Sequence, residues 1–116
     1  MSTHVGRRTL VWLLAVLALV AGPWLAAGAA TRKPATHTIT IEGSRFDPST
    51  LTVAAGDKVV WVNKDPFPHT ATARAGAFNS QSIAAGQSWT YTAAKQGNFA
   101  YTCTFHPTMR GTLQVK

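Results

Sequence analysis

The chain has 116 residues, enough for one domain, and carries eleven Lys and Arg against four Asp and Glu, a formal charge of +7. Its single cysteine, Cys103, excludes an intramolecular disulfide. Four carboxylates in all, with no carboxylate pair and no Ser/His/Asp arrangement, argue against acid–base hydrolysis, and the scattered basic residues argue against nucleic-acid binding.

Arg7 and Arg8 precede an uncharged apolar run from Leu10 to Ala21. Gly22-Pro23 breaks the run, and small residues follow to an A-x-A-like end at Ala27-Gly28-Ala29. This order predicts a signal peptide over residues 1–30, cleaved near Ala29 or Ala30, followed by a domain over residues 31–116. The competing reading is an uncleaved anchor, but the run is short of the roughly 20 apolar residues that span a bilayer. The paired arginines fit both ordinary and twin-arginine export, and the sequence leaves that choice open. The domain is therefore expected in a bacterial periplasm or otherwise exported, touching a membrane only if the leader is retained. Without Arg7 and Arg8 it keeps nine of the eleven Lys and Arg, for a formal charge of +5.

Residues 31–36 read as a flexible lead-in, because Pro34 opposes helix. His37 is taken as a surface residue. Thr38 to Ile41 alternates polar and apolar, as a half-buried strand does, and Gly43-Ser44 punctuates it. Leu51-Thr52-Val53 alternates again, and Ala55-Gly56-Asp57 turns. Lys58 to Val62 is apolar on both faces, which suits a central strand. Residues 70–83 are less regular and read as a weak strand and a loop. Ser88 to Thr92 places Trp89 and Tyr91 on one face. Phe99, Tyr101 and Cys103 share another, and Leu113 and Val115 close the chain. No window of ten residues beyond the leader has helical periodicity, so the pattern predicts an all-β sandwich or barrel.

Cys103-Thr104-Phe105-His106-Pro107-Thr108-Met109 is the informative stretch. It holds the only cysteine and the only methionine after the initiator, with a histidine between them at spacing C-x2-H-x2-M. His69 lies 34 residues upstream, just after a predicted strand, as Cys103 ends one. Each residue alone has a bland reading: Cys103 as core, Met109 as filler, the histidines as surface. Together, in an exported chain whose lone thiol lacks a disulfide partner, they point to a metal site. Thiolate and thioether are soft ligands that suit copper, and imidazole serves both of its oxidation states. Two histidines and a cysteine in a plane, with a distant axial methionine, make an electron-transfer copper site.

Residues 99–115, FAYTCTFHPTMRGTLQV, resemble the C-terminal copper loop of the amicyanins and related plastocyanin-like cupredoxins. The short Cys-to-Met spacing and Met109-Arg110-Gly111 resemble amicyanin more than plastocyanin. Gly56 to Asn63 followed by Pro68-His69 resembles the upstream ligand region, and Phe46-Asp47-Pro48 also fits. The resemblance implies a Greek-key β-sandwich and one type 1 copper per chain, held by His69, Cys103, His106 and Met109. The residue after the first histidine is often Asn in such proteins, tying two ligand loops together. Here it is Thr70, with Thr104 as its available partner.

The resemblance implies a blue copper protein that shuttles single electrons between redox partners and is not an enzyme. Thr102 and Thr104 flank Cys103, so the histidine-flanked cysteine of multicopper oxidases is missing, and one cysteine excludes a binuclear purple centre. The alternative is a copper-binding or delivery protein without an electron-transfer role. His106 is expected to emerge through an apolar patch of Phe67, Pro68 and Pro107. The positive charge predicts redox partners acidic at their docking face, and the domain is expected to be a monomer.

Overall fold

The computed structural model describes residues 32–116 and, apart from them, Gly22; the predicted leader lies outside the described residues. The described residues form eight strands and no helix: β1 (Thr36–Ile41), β2 (Phe46–Asp47), β3 (Thr50–Val53), β4 (Lys58–Asn63), β5 (Thr72–Ala73), β6 (Ser88–Thr92), β7 (Gly97–Cys103) and β8 (His106–Val115). They make two four-stranded sheets, ordered β2-β1-β4-β6 and β3-β8-β7-β5. The pairs β1·β4 and β3·β8 are parallel, and the remaining ladders are antiparallel. The predicted all-β Greek-key sandwich is the fold observed.

Alternation in the sequence sets which side chains meet between the sheets. Ile39 and Ile41 of β1, Val59 and Trp61 of β4, Tyr101 and Cys103 of β7, and Leu113 and Val115 of β8 are all buried. Each buried aliphatic of this size contributes about 1.5–3 kcal/mol relative to exposure. Trp61 organises the centre, packing edge-on to Tyr101 at 5.6 Å between centroids and tilted against Phe78 and Trp89. Burial pushes the Tyr101 phenol up to about 12. Its ring occupies the space above Gly111, where any Cβ would collide with it, so β8 can pass there only as glycine.

Two expectations need correction. Residues 32–36 are not a loose lead-in. The Ala35 amide donates to Asp57 Oδ1 at 3.0 Å, the Arg32 guanidinium pairs with the same carboxylate, and Ala35 O accepts from Lys58 N at 2.9 Å. His37 is likewise not a free surface residue, since its Nε2 lies 2.9 Å from Asp57 Oδ2. Residues 103–109 lie mostly on β7 and β8. β8 begins at His106, so only Thr104 and Phe105 separate the strands, and Cys103 pairs with His106 across a tight hairpin.

Candidate metal centre

The centre lies at the pole of the sandwich where β4 ends and the β7–β8 hairpin turns. Between β4 and β5, residues 64–71 are held by buried polar groups. Asn63, fully buried, donates from Nδ2 to Phe67 O at 2.8 Å and to Ile83 O at 2.9 Å, and accepts from Asp65 N at 3.0 Å. His69 then exchanges two backbone hydrogen bonds with Ile83, at 3.1 and 2.7 Å. The His69 ring is completely buried, and its Nε2 lies 2.7 Å from Asp65 Oδ2. A carboxylate accepts only, so this contact places the imidazole proton on Nε2 and leaves the Nδ1 lone pair facing inward.

Asp65 is held from its other side by the turn after β1. Gly43 and Ser44 both have positive φ, 62° and 55°. Two successive left-handed residues point their N–H groups the same way, and these donate to Asp65 Oδ1 at 2.7 Å and Oδ2 at 2.9 Å. Burial acts to raise the Asp65 carboxyl, but the Ser44 and Gly43 amides and His69 outweigh it and keep the carboxyl below its ordinary range.

Opposite His69 stands the hairpin. Cys103 Sγ is fully buried, 3.7 Å from His69 Nδ1 and 3.8 Å from His106 Nδ1. The Thr70 amide donates to Sγ at 3.3 Å. The Thr70 hydroxyl accepts from the Thr104 amide at 2.9 Å and lies 3.1 Å from the Thr104 hydroxyl. The threonine pair thus ties the two ligand segments together, as the sequence suggested.

The donor atoms of His69, Cys103 and His106 all lie within 4.8 Å of one another. Bond lengths of about 2.3 Å to thiolate and 2.0–2.1 Å to imidazole, at 120° around a first-row ion, put sulfur and nitrogen about 3.8 Å apart. The observed spacings therefore fit a trigonal two-histidine, one-thiolate metal position. Met109, the fourth predicted ligand, is buried on β8 three residues beyond His106, on the inward face it shares with Gly111 and Leu113. His106 itself is half-buried, with Phe67, Pro68 and Phe105 exposed in the flanking loops and Pro107 exposed next to it on β8.

Residues 13–115 match the Cupredoxin-like domain family. The chain belongs to the cupredoxins. Amicyanin of Paracoccus versutus is 32% identical over 81 residues, 66% of this chain and 61% of that protein. Plastocyanin of Scenedesmus fuscus is 32% identical over 84 residues, 61% of this chain and 86% of that protein. The structure of a Cu(I) form of an amicyanin variant superposes with a TM-score of 0.67 at 27% identity, covering 75% of this chain and 88% of that one. The match thus spans about three-fifths of the length of the Paracoccus amicyanins, 61% and 63%. Copper is the cofactor of this cupredoxin, and the histidine–cysteine–histidine cluster is arranged as a type 1 site is.

Sequence reasoning missed Asp65 and Asn63, which fix His69. The available signal was the position of Asp65, four residues before His69, in a chain with only four acidic residues.

Proposed function

We propose that this cupredoxin is a small exported electron carrier that shuttles single electrons between redox proteins, with copper on His69, Cys103 and His106 and with Met109 as axial ligand. The observation that carries the reading is the pair of Nδ1–Sγ spacings, 3.7 and 3.8 Å, around a buried thiol. Bound copper supplies a one-electron couple. The chain's own residues keep the donor atoms from moving when the charge changes: Asp65 orients His69, the Thr70 amide holds Sγ, and the Thr70–Thr104 bridge locks the hairpin to the His69 segment. A donor set that does not move keeps reorganisation small. Four protein ligands leave no open position for a substrate, which supports a carrier and not an enzyme.

His106 offers the exit. Its half-buried ring stands beside Phe67, 6.0 Å between centroids, with Phe67 and Phe105 exposed at 41% and 54%. A small apolar rim suits the brief, weak contacts of redox partners. Lys64, Arg45 and Arg110, against Glu42 and Asp47, leave that pole weakly positive and favour a partner acidic at its docking face. The leader over residues 1–30 directs export and is removed, leaving a monomeric domain over residues 31–116.

The deciding experiment is the visible spectrum of the purified protein after adding Cu(II) and then ascorbate. An intense blue band that bleaches on reduction and returns on oxidation is the expected result, and Cys103→Ser abolishes it. Copper bound only weakly, or only as Cu(I), without such a band would favour copper delivery instead.

A further inference from the structure

Apart from Arg74, which lies at mid-sheet beside Ala100, the charges of this domain are sorted to its two ends. The outer face of one sheet carries Thr38 and Thr40 from β1, Val60 and Val62 from β4, and Thr90 from β6, with no ionisable group among them. On the other sheet the outward positions of β7 are Asn98, Ala100 and Thr102. The metal pole bears Arg45, Lys64 and Arg110, offset by the exposed carboxylates of Glu42 and Asp47.

The opposite pole differs. Backbone hydrogen bonds gather it: Lys58 N to Ala35 O at 2.9 Å, Gly56 N to Ala93 O at 2.8 Å, and Ala55 N to Lys116 O at 2.9 Å. These contacts bring Arg32, Lys33, Lys58, Lys95 and Lys116, all exposed, to one end. The only acidic side chain there, Asp57, is buried, and its oxygens are occupied by Arg32, His37 and two backbone amides. Among the described residues, none of the four lysines has a carboxylate partner. Five cations thus face that one carboxylate.

We propose that this basic pole docks the domain on an anionic lipid surface, with the metal pole facing away from it. Charge complementarity carries the proposal: an anionic leaflet attracts clustered basic side chains, and the domain keeps all five of these cations after its leader is removed. Six residues of β4 separate the poles by about 20 Å, some two and a half Debye lengths at physiological salt, where that length is about 8 Å. A charged surface therefore acts on the lysines and scarcely on the metal pole. The orientation has functional meaning only if the electron-carrier reading holds, because it leaves the His106 face open to partners; the docking itself does not depend on copper.

The test is co-sedimentation of the exported protein, its leader removed, with phosphatidylcholine vesicles, with and without phosphatidylglycerol, at low and high salt. The variant Lys33→Gln/Lys58→Gln/Lys95→Gln/Lys116→Gln is compared with Arg45→Gln/Lys64→Gln/Arg74→Gln/Arg110→Gln, which loses the same charge elsewhere. A basic side chain at an anionic surface is worth about fivefold in partition. The lysine variant should therefore lose on the order of a hundredfold or more of its binding to anionic vesicles, and the control less than tenfold. Salt should weaken wild-type binding to anionic vesicles, and neutral vesicles should bind less. Equal losses in the two variants would overturn the proposal, as would binding indifferent to phosphatidylglycerol and salt. Retention on heparin without retention on anionic vesicles would also overturn it, in favour of an acidic polymer. None of these results bears on the copper spectrum, so a failure here is distinct from a failure of the electron-carrier reading.

Discussion

Asp57 and Asp65 stand at the two ends of β4, each buried, each accepting two backbone amides and each touching the Nε2 of a histidine. They differ in one partner. Asp57 faces the Arg32 guanidinium, and that pair, with His37 after it, holds its carboxyl well below the usual range against the effect of burial. Its charge is neutralised where it stands, and the result is a clamp that fastens residues 32–37 to the sandwich. Asp65 has no guanidinium. Its only ionisable partner is His69, whose other nitrogen faces Cys103, so its charge is passed on to the donor set. A similar cage of amides serves structure at one pole and chemistry at the other, and the partner decides which.

Substitution at each carboxylate tests that division. The largest loss of stability is expected for Asp57→Asn, which removes the carboxylate charge that Arg32 and His37 both contact. Its thermal midpoint should fall by several degrees, while the blue band of the copper form stays in place. The acid limb gives the sign. The unfolded carboxyl titrates near pH 3.9 and the folded one lower, so the stability it contributes is present above about pH 4. That stability is lost as the pH falls through the folded value. Wild-type protein should therefore lose stability from about pH 4 downward, and Asp57→Asn should lose less over the same window in acid denaturation.

For Asp65→Asn the order reverses. Copper affinity, read by competition with a chelator, should fall about 10–100-fold, as is typical when the hydrogen-bond partner of a ligating histidine is altered. The reduction potential should rise, because a negative charge beside His69 favours the more positive oxidation state. If Asp57→Asn moved the potential as far as Asp65→Asn, the comparison would collapse. The smallest effect belongs to His37→Gln. The amide can still bond Asp57, so stability should change by no more than about 0.5 kcal/mol, with an unchanged spectrum.

The sandwich was legible where period-2 alternation is strong, as in Thr38 to Ile41 and Ser88 to Thr92. It was not legible at β2, and β5 was only a weak strand somewhere in residues 70–83, because two-residue strands are too short to show alternation. The candidate ligands were legible because soft donors are rare in this sequence and three of them lie within seven residues. Their supports were not. Asp65 and Asn63 are polar residues at a strand end, where sequence predicts a solvated turn. Only the fold shows that amides from the Gly43-Ser44 turn, itself set by two positive φ values, converge there. Arg32 and Ala35 were misread for the same reason, since their partner is Asp57, more than 20 residues away.

The burial of Cys103 makes the protein report on its own breathing. Its sulfur is the only thiol in the chain and is fully covered, so an alkylating reagent reaches it only when the hairpin lifts from the His69 segment. The labelling rate of the metal-free protein, divided by that of the unfolded chain, is then the fraction of time the hairpin stands open. Two labelling time courses read by mass thus give the free energy of opening at the metal pole.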